Sequence, residues 1–270
     1  MMLEKIYIPT LGRLHNQVTY NNLPQRWKDI TYFVVQPHEY ELACSLYPNV
    51  LCLPETVKGI AKTRKWIVET AGDSYYAMMD DDIDFLKRNI NRETKKKIDG
   101  LPSKEKLTEE DFEDLLDKTV NRWFNEGVTV GGLTFHAMYP KDFDEKDFGI
   151  IIQCFFVNGS NIPREKLDWS IEFGEDHHFI LQLLKMKLKT RVSDKYLISS
   201  KEWAPGGCQE QGRTPDSDRK EHLKLIEAHP GIVEWSGKTR KHSKGHDHAV
   251  IRINWKKCYN SGTATLENFL

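Results

Sequence analysis

Residues 74–86 read SYYAMMDDDIDFL. The apolar run from Tyr75 to Met79 ends abruptly in Asp80, Asp81 and Asp82, and Asp84 follows one residue later. A short unbroken apolar run reads as a strand buried on both faces, the usual case in a parallel sheet. Carboxylates crowded at the tip of such a strand raise one another's pKa, a cost that a divalent cation removes. The expectation is a strand tip that holds a metal ion and, through it, a phosphate.

Upstream, strands and helices alternate. Residues 5–8 (KIYI), 31–35 (TYFVV) and 50–53 read as strands. Between them lie a short helical stretch over 16–27 interrupted at Pro24, and a helix over 38–46 with Pro37 in its first turn and Pro48 closing it. Residues 59–71 carry Ile60, Ala61, Arg64, Ile67, Val68 and Ala71 at helical spacing, with Gly72 as the stop. Alternation of this kind implies parallel, right-handed βαβ units. In such sheets ligands bind beyond the carboxyl ends of the strands. The turn Thr10-Leu11-Gly12-Arg13, Gln36 and the acidic tip all fall there.

Downstream, residues 87–97 (KRNINRETKKK) have no apolar period and read as an exposed basic loop. Residues 108–126 are expected to form an amphipathic helix: Thr108 can cap, Asp111 holds the capping-box position, and Phe112, Leu115, Leu116, Val120, Trp123 and Phe124 form one stripe. Further strands are expected at 128–134 and 150–157, then a turn at Asn158-Gly159-Ser160. Glu175-Asp176-His177-His178 opens a helix, and the chain beyond Thr190 reads as strands and loops, with Gly206-Gly207 and 238–248 as landmarks. One α/β domain over 1–270 is expected, with a donor-binding half near 1–90 and an acceptor half near 91–270.

Composition narrows the class. The chain is 39% hydrophobic and 29% charged, which argues against disorder and against a membrane protein. The start, MMLEKIYIP, lacks the layout of a signal peptide, so a cytoplasmic protein is expected. Five dispersed cysteines with no CxxC pair read as reduced thiols. Net charge is −1, yet residues 99–147 hold 13 Asp/Glu against 6 Lys/Arg, while 185–257 hold 17 Lys/Arg against 9 Asp/Glu. The C-terminal third is the part suited to a polyanion.

The acidic tip is no EF-hand, which needs Gly and Glu where Phe85 and Asn91 stand. A phosphatase-type nucleophile at Asp82 with Asp84 belongs on a first strand, and this one is the fourth. No Walker-A loop or GxGxxG turn is present. Arg64 sits on the inward face of its helix, where an unpaired guanidinium is unfavourable; a diphosphate or the acidic tip would satisfy it, with Lys62 nearby. Glu175 and Asp176 suit a helix N-terminus on dipole grounds alone. Either could also take an acceptor proton or brace a sugar. Among His242, His246 and His248, one could complete a metal's ligand set, or all could be spare residues of a basic loop.

These features together resemble the GT-A glycosyltransferases, a Rossmann-like, mostly parallel sheet flanked by helices. More narrowly, IPTLGRLHNQ, Leu23-Pro24, GIAKTRKWI and MMDDDID are similar to the phage TET-associated glycosyltransferases, thought to modify hydroxymethylated pyrimidines in DNA. The resemblance runs from about Lys5 to Lys185. It implies that Pro9, Thr10, Arg13 and Gln36 line a nucleotide pocket and that Arg64, with Lys62, meets the donor diphosphate or the acidic tip. It places Asp80 and Asp81 at the donor, Asp82 on Mn²⁺ or Mg²⁺ with His246 as a further ligand, and Asp176 with Glu175 at the sugar–acceptor junction. Three consecutive Asp plus Asp84 depart from the simplest pattern, so the metal ligand among them stays open. The implied donor is a nucleotide sugar such as a UDP-sugar. The implied acceptor is a 5-hydroxymethylpyrimidine in DNA, its phosphates gripped by Lys87, Arg88, Lys95, Lys96, Lys241 and Lys244, in the host cytoplasm if the gene is a phage's. A nucleotidyltransferase of related fold and a non-catalytic nucleic-acid-binding protein are the competing readings.

Overall fold

The computed structural model describes residues 3–90, 94, 96, 98–136, 145–200, 205–241 and 247–263. Its first half follows the alternation in the sequence. β1 (Lys5–Pro9) leads through α1 (Val18–Asn22) and α2 (Gln25–Lys28) to β2 (Thr31–Val35). A turn of 3-10 helix begun by Pro37 continues into α3 (Tyr40–Leu46), and β3 (Val50–Cys52), α4 (Ile60–Ala71) and β4 (Tyr75–Met79) follow. Gly59 takes φ +94° where the chain swings into α4, a conformation that a side chain would strain. The Glu172 carboxylate then accepts the Ile60 N–H at 2.5 Å, satisfying one of the orphan donors of the helix start.

After the acidic tip come β5 (Asp84–Arg88), β6 (Lys104–Lys106), α5 (Glu109–Glu113), a π-helical segment (Asp114–Thr119) and α6 (Val120–Asn125). The Thr108–Asp111 capping box is formed as its sequence implies. Then follow β7 (Val128–Phe135), β8 (Glu145–Asp147), β9 (Cys154–Asn158), α7 (Glu175–Lys185), β10 (Lys189–Ser199), α8 (Pro215–Ala228), β11 (Val233–Lys241), β12 (Asp247–Ile253) and α9 (Trp255–Ser261).

The architecture is mixed α/β. A ten-stranded sheet runs β3-β2-β1-β4-β9-β7-β10-β5-β6, with β8 also on β10, and β11 and β12 form a separate hairpin. The four βα strands are mutually parallel. β7 and β10 are also parallel, whereas β9 joins β4 and β7 antiparallel. Both faces of the sheet are covered. Ile6, Ile8, Phe33, Ala77 and Met79 pack with Trp123 and Phe156 on one side. Tyr7, Val34, Tyr76 and Met78 pack with Ile67, Phe155, Phe179 and Leu183 on the other. This two-sided burial explains why the strands read as unbroken apolar runs.

Two expectations need correction. The basic stretch from Lys87 is not an exposed loop throughout: Lys87 and Arg88 belong to β5, antiparallel to β10 and β6. Lys87 Nζ is engaged by Asp111 at 2.7 Å and Glu105 at 3.2 Å, partners too distant in sequence to be seen locally. The chain beyond Thr190 is also not merely strand and loop, because α8 and α9 lie within it. No helix among the described residues is long and apolar enough to cross a membrane.

Candidate active site

The carboxyl ends of β1, β2 and β4 open onto a cavity of about 520 Å³. Pro9, Thr10 and Arg13 from the turn after β1, Gln36 after β2, and Arg64 on α4 wall one side. Asp80, Asp81 and Asp82 stand at its floor, and Glu175, Asp176 and His177 enter from the start of α7. The far wall is later chain: Cys208, Arg213, Asp218 and His222 around α8, and Val250 and Ile251 on β12.

The three carboxylates of the tip have separate environments. Asp81, 4% exposed, accepts Thr10 Oγ1–H at 2.6 Å and Arg13 Nη1–H at 2.8 Å, so both its oxygens are occupied by the β1 turn. Asp82 shares the same Arg13 nitrogen at 3.0 Å and remains partly exposed to the cavity. Arg13 in turn is held by the Pro205 carbonyl at 2.7 Å, and Gln17 braces both Thr10 and the Arg13 carbonyl. Asp80 belongs to a different network, accepting Arg64 Nη2–H at 2.8 Å.

Arg64 is the joint between the tip and α7. It is 2% exposed, donates through Nε to Glu175 Oε1 at 2.9 Å, and lies over the Phe155 ring at 4.9 Å. Its Nη1 is buried and has no hydrogen-bond partner among the described residues. Burial, only partly offset by Arg64, pushes Asp80 up to about 7, and the Asp82, Asp81 and Asp176 carboxylates add to the rise. Burial and then Asp81 push Asp82 upward against the pull of Arg13. Glu175 is likewise pushed up by burial and by Asp176.

Asp176 moves the other way. Burial alone would raise it, but His177 donates to its Oδ1 through both backbone N–H and Nδ1–H at 2.7 Å, and the net direction is down. Burial lowers His177, but Asp176 raises it more, so its imidazole gains basicity. α7 thus begins with a carboxyl that favours its proton, Glu175, beside an ion-paired Asp176 and His177.

Any divalent cation in the cavity would take its protein ligands from these groups. Among the described residues, no three His, Cys, Asp or Glu side chains stand together as a metal cluster. What remains is the pair Asp80 and Asp82, whose carboxyls are pushed up by burial first and then by neighbouring carboxylates, against the pull of Arg64 and Arg13. A hard, oxygen-seeking ion that takes its remaining ligands from a diphosphate and water fits that pair.

The expected site residues fall into three groups. Pro9, Thr10, Arg13, Gln36, Arg64, Asp80, Asp81, Asp82, Glu175 and Asp176 converge on one cavity. Lys62 is exposed and is not among the lining residues, and Lys87, Arg88 and Lys96 also lie outside the lining. Lys95, Lys244 and His246 lie outside the described residues, as does the side chain of Lys241. Sequence reasoning passed over His177, Arg213, Asp218 and His222. A signal existed in Thr214-Pro215-Asp216-Ser217, a capped helix start with Pro at its first position.

Comparison with known proteins adds to this geometry. The family model described as TET-Associated Glycosyltransferase matches residues 4–207. Curated relatives include proteins of Enterobacteria phages T2 and T6 named beta-glucosyl-HMC-alpha-glucosyl-transferase. Each is 25% identical over 191 residues, which cover 66% of this chain but only 65% of the relative. Similar solved structures include glucosyl-3-phosphoglycerate synthase from Mycobacterium tuberculosis, described with Mn²⁺, UDP and phosphoglyceric acid, at 12% identity and TM-score 0.47 over 95% of this chain and 91% of that one. Another is S. aureus TarS 1-349, at 11% identity and TM-score 0.45 over 84% of this chain and 66% of that one.

Proposed function

The chain belongs to the TET-associated glycosyltransferase family, and from that membership we propose that it moves a sugar from a nucleoside-diphosphate donor, a UDP-sugar, to a hydroxyl group on modified DNA. The observation that carries this reading is Arg64. It lines the cavity and bridges Asp80 and Glu175, while its Nη1 is buried and has no hydrogen-bond partner among the described residues. A buried donor without an acceptor is costly, and a donor diphosphate supplies the missing oxygen.

In this reading the nucleotide lies along the ends of β1 and β2, against Pro9, Thr10 and Gln36. Arg13 takes no direct part; it holds Asp81 and Asp82 in place. Asp82 and Asp80 are the carboxylates that would hold Mn²⁺ or Mg²⁺, which when bound supplies a Lewis acid for the leaving diphosphate. Arg64 steadies negative charge developing on the same oxygens. The acceptor enters from the opposite side, between Asp176 and His177 and the wall built by α8.

The acceptor is a 5-hydroxymethylpyrimidine in DNA. A C5 substituent lies in the major groove, and reaching it in an enclosed site calls for distortion or flipping of the base. The names of the phage T2 and T6 relatives favour a second reading, in which the accepting hydroxyl is on a sugar already attached to that base.

The test pairs binding with turnover. Thermal-shift panels of nucleotide sugars with and without Mn²⁺ are expected to show stabilisation by donor plus metal. Transfer is then assayed to hydroxymethylcytosine DNA and to its β-glucosylated form, which separates the two acceptors. Asp82→Asn is expected to keep the fold and lose metal-dependent turnover. Stabilisation by no nucleotide sugar, with or without metal, would sink the reading.

A further inference from the structure

Glu175, Asp176 and His177 enter the cavity from the start of α7, and they differ in how their basic atoms are engaged. Glu175 is 7% exposed, with Oε1 on Arg64 at 2.9 Å and Oε2 on the Gly174 N–H at 3.2 Å. Asp176 spends Oδ1 on two hydrogen bonds from His177, both 2.7 Å. The donors on Asp176 weaken it as a base, whereas Glu175, although pushed up, has both oxygens engaged. His177 remains. Because an ionised carboxylate can only accept, Nδ1 carries the proton of the Asp176 contact, which leaves the lone pair on Nε2. The ring lines the cavity with its side chain 23% exposed, and Trp255 of α9 flanks it at a centroid distance of 5.9 Å.

We propose that His177 is the general base of the transfer and that Asp176 is the residue that positions it. The inference rests on the glycosyl-transfer reading above. The step balances simply: the acceptor O–H proton passes to His177 Nε2 as its oxygen bonds to the anomeric carbon. The bond from that carbon to the diphosphate oxygen breaks, and its electron pair leaves with the nucleoside diphosphate. The imidazolium so formed is stabilised across the Nδ1–H···Asp176 bond and later gives its proton to water. A base must be neutral before it acts, so turnover rises with pH through the His177 pKa. Burial lowers that pKa, while Asp176 and then Glu175 on its own helix raise it; Arg64 on α4 and Asp218, His222 and Arg213 of the α8 wall line the same cavity. Asp176 holds it above the ordinary imidazole value.

The experiment measures kcat against pH with saturating donor and DNA acceptor for wild type, His177→Gln, His177→Ala and Asp176→Asn. Donor-induced thermal shift is followed alongside as a control on fold and donor binding. Loss of a general base lowers kcat by about 10²–10⁴-fold. His177→Gln is expected to show that loss, an intact donor shift and no acid limb. His177→Ala is expected to regain part of its rate with added imidazole, and Asp176→Asn to move the acid limb to lower pH. His177→Gln active with an unchanged acid limb, while Asp176→Asn is inert, would overturn the assignment in favour of Asp176. Should the His177 variants fail to fold, the direction of the Asp176→Asn limb decides. Wild-type protein without turnover defeats the underlying reading; wild-type turnover with kinetically silent His177 variants defeats only this one.

Discussion

Arg64 is the residue on which the site turns. An ion pair buried this deeply does not guarantee stability, since desolvation offsets most of its attraction. Removing one partner is different. Arg64→Met leaves buried Glu175 and half-buried Asp80 without their cation, an expected cost of about 3 kcal/mol in urea unfolding at neutral pH, the low end for a buried pair. The deficit should shrink in acid, because both carboxyls are pushed up and protonate readily. A second buried polar group, away from the cavity, makes a pH prediction. His178 Nε2 donates to Asp168 at 3.2 Å, so its Nδ1 accepts from His229 Nε2 at 2.8 Å, and the lone pair of the chain ends on His229 Nδ1, which has no partner among the described residues. Burial first, then the charges of Lys185 and His178, pull His229 from 6.5 to about 3. It is neutral in the fold and protonates in the unfolded chain, so the unfolded state binds more protons across that window. Its contribution is fully present above about 6.5 and is lost as pH falls toward about 3. His229→Leu should therefore flatten the fall in stability between about pH 7 and about pH 5, read from denaturation midpoints.

Among the elements, legibility in the sequence follows the chemistry of the buried face. α4 and the 109–125 helix bury apolar stripes, and β1 to β4 are apolar on both sides, so periodicity found them. The cap of the latter helix was equally plain: Thr108→Ala should cost about 1 kcal/mol in thermal or chemical unfolding. α8 hid because its buried face is largely polar. Asp218 is bound by Arg213 at 2.8 Å, Glu221 accepts the Glu172 N–H at 2.7 Å, and Leu225 is the buried apolar residue between turns. No hydrophobic period can reveal such a helix. β5 hid for a related reason, since its Lys87 is matched by Glu105 on β6 and Asp111 on α5 and not by a near neighbour in the chain.

For the whole molecule, the β1–β4 side of the site was readable because four parallel strands joined through helices place the loops at their carboxyl ends together by topology alone. The opposite wall was not, because it is assembled from chain more than a hundred residues away whose packing no local pattern encodes. Charge was legible in bulk only: the excess of cations in the last third is real in the sequence, while several basic residues within the fold are already ion-paired. If the remaining cations grip DNA phosphates, affinity should fall steeply, by orders of magnitude, between about 50 and about 200 mM salt in a fluorescence-anisotropy titration. Binding that ignored salt would remove the phosphate grip from the account. The family match stops at residue 207, yet the cavity wall continues through Cys208, Arg213, Asp218, His222, Val250 and Ile251, all from one contiguous length of chain. In the proposed reading this length is the acceptor wall, and being continuous it could be exchanged as one piece. Grafting the corresponding length from a relative with a different acceptor would exchange what the enzyme writes on, while leaving the ink as it was.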